Sequence, residues 1–156
     1  MATVILMCGA AGSGKTRYAR ALEEAGALRL SYDEEYWARG YRGPHPVPAA
    51  LAQEVKDDLD RQLEEELRDG SSGVVLDYSF STRAMREEYR AIAARFGAST
   101  RLVYLTAPVE VLLARVAARD GSQANDAVLA PEVVRAYAAG FEVPGPDEEP
   151  EIIRTG

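Results

Sequence analysis

Residues 9 to 16 read Gly-Ala-Ala-Gly-Ser-Gly-Lys-Thr: Gly9 and Gly14 with four residues between them, then a lysine and a hydroxyl. Gly9, Gly12 and Gly14 permit positive φ and allow backbone N–H groups to turn inward, which makes a nest of donors for an anion. Lys15 adds a point charge. The Thr16 hydroxyl is a hard oxygen of the kind that ligates a divalent cation. The apolar run Thr3–Cys8 precedes this stretch, and Tyr18, Ala19, Leu22 and Ala25 follow at helical spacing. A glycine-rich loop between a buried strand and a helix N-terminus is the context that the Walker A pattern G-x-x-x-x-G-K-[ST] requires. The stretch is therefore read as a nucleotide phosphate cradle: Gly9, Ala10, Ala11, Gly12, Ser13 and Gly14 through their backbone, Lys15 on the β- and γ-phosphates, and Thr16 on Mg²⁺.

Other residues could do chemistry beside it. Asp77 ends the apolar run Val74-Val75-Leu76, as a Walker B carboxylate does when it helps to hold Mg²⁺; a strand-ending Asp is also a common turn former. Asp33 follows a short apolar stretch. A carboxylate there could orient an acceptor hydroxyl and take its proton, or cap a short helix through Tyr36 and Trp37. Arg115 and Arg119 stand four residues apart, so on a helix they share a face, aimed at the loop that follows; they are either a guanidinium clamp on a moving phosphoryl group or solvated arginines. Arg83, at the start of a helix, could pair with a carboxylate or reach a substrate. Trp37, Tyr36 and Tyr41 either wall an acceptor pocket or cover the core. His45, between two prolines, reads as a surface histidine.

The elements that must place these residues alternate along the chain. Strands are expected over 3–8, 27–31, 73–77 and 101–105, with a last short one at Glu151-Ile152-Ile153. Leu51, Val55, Leu59, Leu63 and Leu67 recur every fourth residue and mark a long amphipathic helix stopped by Gly70, before a turn at Gly70-Ser71-Ser72. The opposite face of that helix is acidic and reads as a solvated face. Thr82 is placed to cap a helix reaching Phe96, Pro108 to open another, and Pro131 a third that runs to Gly140. Residues 38–48, with glycines and prolines, form a loop, and residues 120–130 a polar one. The alternation predicts a single-domain α/β fold with a parallel sheet, whose ligands bind beyond the C-terminal strand ends. Gly9, Asp33, Asp77 and Thr106 all fall at that edge.

The composition narrows the partners. The chain has 156 residues and a formal net charge of −7, from 18 basic and 25 acidic residues. That balance counts against a large phosphate-tracking surface, so nucleic acid is an unlikely partner by composition. No apolar run approaches the roughly 18 residues of a membrane span. Cys8 is the one cysteine, so no intrachain disulfide forms, and a cytoplasmic protein is expected.

Taken together, "GAAGSGKT", "SYDEEYW", "VLDYSFSTRAMREEYR" and "VYLTAPVEVLLARVAARDG" resemble the P-loop kinase family that includes chloramphenicol phosphotransferase and the 5′-hydroxyl kinase domain of phage polynucleotide kinase. The resemblance spans about residues 3–121. It implies a P-loop NTPase fold with a five-stranded sheet in the order 2-3-1-4-5 and a lid over about 119–131, and it implies ATP with Mg²⁺. Within it Asp33 is similar to the acceptor-activating base, Arg119 to the lid arginine with Arg115 near it, and Asp77 and Arg83 to a pair supporting metal or acceptor. Trp37 stands roughly where polynucleotide kinases carry an arginine. The expected function is transfer of the γ-phosphate of ATP to a hydroxyl of a small molecule, an antibiotic or other natural product among the candidates. The alternatives are a polynucleotide 5′-hydroxyl kinase, and a regulatory or toxin-like protein that hydrolyses ATP slowly.

Overall fold

Five parallel strands form one sheet in the order β2-β3-β1-β4-β5. The computed structural model describes residues 2–70 and 73–156; the turn expected at Ser71 and Ser72 lies outside the described residues. The elements in chain order are β1 (Thr3–Cys8), α1 (Lys15–Glu24), β2 (Leu28–Leu30), α2 (Tyr32–Ala38), α3 (Ala49–Arg68), β3 (Gly73–Leu76), α4 (Arg83–Arg95), β4 (Ser99–Thr106), α5 (Val109–Ala117), α6 (Pro131–Ala139) and β5 (Glu151–Arg154), with a 3₁₀ turn at Pro146–Glu148 before β5.

The period of two along β1 divides the core. Val4, Leu6 and Cys8 point to the side covered by α3 and α4, where they meet Val55, Leu59, Leu63, Tyr89 and Ala93. Ile5 and Met7 point the other way, against Ala19, Tyr18 and Leu22 of α1. Both faces of the sheet are covered, as the unbroken apolar runs of β1 and β3 require. A third cluster, Leu112, Val116 and Val134, packs α5 on α6 and touches Ala10 and Ala11 of the glycine-rich loop.

Local signals hold at three helix starts. Thr82 caps α4, its hydroxyl accepting from the Met85 N–H at 3.2 Å. Pro108 precedes α5 and Pro131 opens α6. Ser31, and not Asp33, caps α2: its hydroxyl accepts from the Glu34 N–H at 3.2 Å. Asp33, Glu34 and Glu35 then fill the first turn of α2, where carboxylates suit the helix dipole. The acidic face of α3 is less free than its pattern suggests. Asp58 pairs with Arg39 and Arg61, Asp60 with Lys56, and Glu64 with Arg95.

Two buried ion pairs tie distant segments together. Arg29 of β2 meets Asp77 after β3 at 2.7 Å, with both side chains nearly sealed from solvent at 5% and 2% exposure. Arg86 of α4, 1% exposed, meets Glu148 at 2.9 Å and donates to the Phe80 carbonyl at 2.7 Å, which pins the C-terminal segment to α4.

Candidate functional site

The glycine-rich loop leaves β1 at its C-terminal end and enters α1 at Lys15. Gly9 has no room for a side chain: a Cβ there would lie 2.5 Å from Ser13 Oγ and 2.7 Å from the Leu105 carbonyl. Gly14, at φ 100°, stands at the N-cap of α1 in the left-handed region that glycine tolerates. Three other segments hold this loop. The Gly9 N–H donates to the Ser79 carbonyl at 3.0 Å. Arg115 Nη1 donates to the Gly12 carbonyl at 3.0 Å and to Thr155 Oγ1 at 2.8 Å. Thr155 Oγ1 in turn donates to the Ser13 carbonyl at 2.9 Å. Carbonyls of the loop are thereby pulled outward, the arrangement that leaves amides free to face a ligand. The Ser13 hydroxyl is buried within the loop without a partner among the described residues.

Beside the loop lies a cavity of about 370 Å³ whose walls include Ala10, Ala11, Lys15, Thr16, Asp33 and Arg119. A second cavity, of about 160 Å³, lies against Tyr36, Trp37, Tyr41 and Arg42. The two share Asp33, His45 and Ala127. Asp33 thus stands at the junction of the larger space beside the loop and a smaller, ring-lined one. Its carboxyl accepts no hydrogen bond from the described residues. Burial raises its pKa above the ordinary carboxylate value and Asp77 adds to this, while Lys15, His45 and Arg119 pull the other way. Arg119 faces it: burial lowers the guanidinium's pKa, and Asp33 and Asp126 hold it up. Asp33 is therefore a partly desolvated carboxylate with Lys15 and Arg119 about it, where the two cavities join.

Several expected site residues stand elsewhere. Arg115 and Arg119 do not act as one face. Arg119 lies beyond the end of α5, its Nη1 donating to the Ala127 carbonyl at 3.3 Å. Arg115 turns back to Gly12 and Thr155, because those carbonyls and the hydroxyl satisfy its fork. Arg83 lines neither cavity; Glu87 and Asp147 hold it on the outer end of α4. Trp37 lines the smaller cavity with one face under the Arg42 guanidinium, 3.4 Å from the ring centre. His45 is half-buried and lines both cavities, unlike the surface histidine the sequence suggested. Asp77 lines neither; both bonds from Arg29, at 3.1 and 2.7 Å, fall on its Oδ2. Among the described residues no cluster of three or more acidic, cysteine or histidine side chains could hold a metal by itself.

Two residues that the sequence reading passed over are central to this edge. Arg29 bonds Asp77, Glu34 and, at 3.0 Å, Asn125 Oδ1. A charged residue between Leu28 and Leu30 in a short, largely apolar strand is the signal that could have found it. Asn125, in the loop between α5 and α6, gave no such signal.

The sequence model described as AAA domain matches residues 4–144. No curated protein matches the sequence. Solved structures that resemble the chain include a sugar kinase from Janibacter sp. HTCC2649, with a TM-score of 0.66 at 20% identity over 99% of this chain and 85% of that one. A gluconokinase from Sinorhizobium meliloti 1021 has a TM-score of 0.65 at 19% identity over 97% and 82%. The Pnkp1/Rnl/Hen1 RNA repair complex contains a chain with a TM-score of 0.72 at 15% identity, over 88% of this chain and 43% of that one. At these identities the likeness is one of fold: a P-loop kinase-like architecture. No helix among the described residues is long and apolar enough to cross a membrane.

Proposed function

The chain belongs to the AAA domain family, and on that premise we propose that it is an ATP-dependent kinase that transfers the γ-phosphate to a hydroxyl of a small molecule. The observation that carries this reading is the junction at Asp33. A cavity with Lys15, Thr16 and Arg119 meets a smaller one lined by Tyr36, Trp37 and Tyr41, and the one carboxylate they share carries no hydrogen bond from the described residues.

The cradle fits a triphosphate. Gly9 has no space for a Cβ, Gly14 holds a left-handed turn, and Lys15 and Thr16 open into the cavity. The loop from Gly9 to Gly14 binds the phosphates through those backbone N–H groups that no carbonyl takes, Gly9 and Ser13 donating instead to Ser79 and Ala10, and Lys15 orients the terminal one. Thr16 would supply the protein hydroxyl to Mg²⁺, which when bound would neutralise charge on the phosphate oxygens. Asp77 would serve that ion only at one remove, since it lines neither cavity and Arg29 holds its Oδ2. Asp33 accepts the proton of the acceptor hydroxyl as its oxygen approaches phosphorus, and Arg119 offsets the charge that develops on the transferred group. Arg115 acts through the loop it braces. Loop 119–131 is the lid, and the sequence forms one kinase domain with it.

A cavity of about 160 Å³ suits a compact acceptor in preference to a tracked strand. The sugar kinase and gluconokinase resemblances support a small hydroxylated acceptor, while the RNA repair resemblance keeps an oligonucleotide as the comparison to run. The experiment offers γ-labelled ATP with Mg²⁺ to a panel of hydroxylated small molecules and, separately, to a 5′-hydroxyl oligonucleotide. Label is expected on a member of the panel. Efficient, salt-sensitive labelling of the oligonucleotide with none of the panel labelled would replace this reading with that of a polynucleotide kinase.

A further inference from the structure

The segment after α5 is an internally bonded unit. The Gly121 N–H donates to the Asp126 carbonyl at 3.1 Å, and the Asp126 N–H to the Gln123 carbonyl at 3.1 Å. The Asp120 N–H donates to Asp126 Oδ2 at 3.1 Å, and the Ser122 N–H to Asp120 Oδ1 at 3.0 Å. Residues 120–126 are therefore tied to one another as one turn. Gly121, Ala124, Ala127 and Val128 wall the smaller cavity, and Asn125 and Ala127 wall the larger one. Whatever holds this piece in place closes both.

Apolar packing holds the chain beyond it only at Leu129, which lies against the Leu112, Val116 and Val134 cluster, while Val128 is 61% exposed. Among the described residues, every side-chain hydrogen bond from 120–128 to β2, α1 and the start of α2 is made by Asn125. Its Oδ1 accepts from Arg29 Nη2 at 3.0 Å and from Arg20 Nη2 at 3.2 Å, and its Nδ2 donates to Ser31 Oγ at 3.4 Å. The anchor is prepared in advance. Arg29 is fixed by Asp77 and Glu34, and Ser31 by its cap on α2. Only the loop then loses freedom on closing, which lowers the entropic cost of seating it.

We propose that Asn125 is a positioning residue, the clasp that seats the 120–126 loop across both cavities on Arg29, Arg20 and Ser31. Bonds from charged donors to a neutral amide are stronger than neutral ones, yet a single residue makes them all, so the clasp can release as one event. It acts through the loop that it seats. The inference deepens the kinase reading, and only its second readout rests on that reading.

Trp37 is the single tryptophan of the chain and lines the cavity that the loop walls. Acrylamide quenching of its fluorescence reports the seated loop without any ligand. Asn125→Ala should raise the quenching constant, while Asn125→Asp, which keeps the acceptor for both guanidinium groups, should stay near wild type. In stopped flow, release of a fluorescent ADP analogue should be about tenfold faster or more from Asn125→Ala, a change equivalent to about 1.4 kcal/mol. Equal quenching in all three proteins overturns the clasp, as does an Asp variant as open as the Ala variant. Loss of analogue binding in the wild type would instead sink the nucleotide reading and leave the quenching result to decide the clasp.

Discussion

At the scale of the residue, Asp33 carries the sharpest expectations, because burial and catalysis pull on the same carboxyl. Its pKa is raised in the folded state, chiefly by burial. A raised carboxyl binds its proton more tightly folded than unfolded. Its contribution to stability is therefore complete below the unfolded value and lost as pH rises through the folded one, so the charged group costs stability at neutral pH. Asp33→Asn should raise the melting temperature at pH 7 while lowering turnover by about 100-fold, the lower end of what a general base contributes. ATP affinity should hold. A less stable variant with ordinary turnover would assign Asp33 a structural role. In the wild type the rate should fall as pH drops through the raised value. Arg119→Lys keeps the charge and loses the planar fork, so a clear drop in rate is expected at unchanged ATP affinity; equal rates in steady-state assays would remove Arg119 from the transferred group.

At the scale of the element, the glycine-rich loop depends on parts distant in sequence. Thr155, beyond β5, bonds the Ser13 carbonyl and is itself held by Arg115. Thr155→Val removes the hydroxyl and keeps the shape. With net values of about 0.5–1.5 kcal/mol for each bond, nucleotide affinity should weaken several-fold in titration calorimetry with little loss of fold. Unchanged affinity would mean that the tail does not tune the loop. Arg29→Met is expected to be far more damaging, since it leaves Asp77 charged and buried; losing one partner of such a pair costs about 3–5 kcal/mol. Chemical denaturation measures this directly. These dependencies mark where the sequence was legible and where it was not. The Walker loop, the strand end at Asp77, and the helix starts at Thr82, Pro108 and Pro131 are local devices, readable from neighbours a few residues away, whereas Asp33, expected at a strand end, lies in the first turn of α2. Ser31 was missed as the cap of α2 because the acidic run beside it offered a competing carboxylate. Arg29 with Asn125, Arg86 with Glu148, and Arg115 with Thr155 are contacts across the fold, and no spacing rule joins residues 96, 62 or 40 positions apart. The turn of Arg115 away from Arg119 follows from one of these.

At the scale of the whole molecule, charge separates the acceptor classes. The net charge is −7, and most arginines outside the cavity edge already meet carboxylates, including Arg39, Arg61, Arg83, Arg86, Arg90, Arg95 and Arg101. Few cations remain to neutralise a run of phosphates. Transfer to the preferred acceptor should therefore vary little with added salt, whereas a tracked polynucleotide would show a steep linear fall of log affinity with log salt. Every role assigned at the smaller scales presupposes a nucleotide on the loop from Gly9 to Thr16. The most direct measurement is titration calorimetry of ATP, with and without Mg²⁺, into the wild type and Lys15→Ala. One ATP bound per chain, tighter with Mg²⁺ and largely lost in a folded Lys15→Ala protein, is the predicted result; no binding by the wild type, or equal binding by the two proteins, would contradict it.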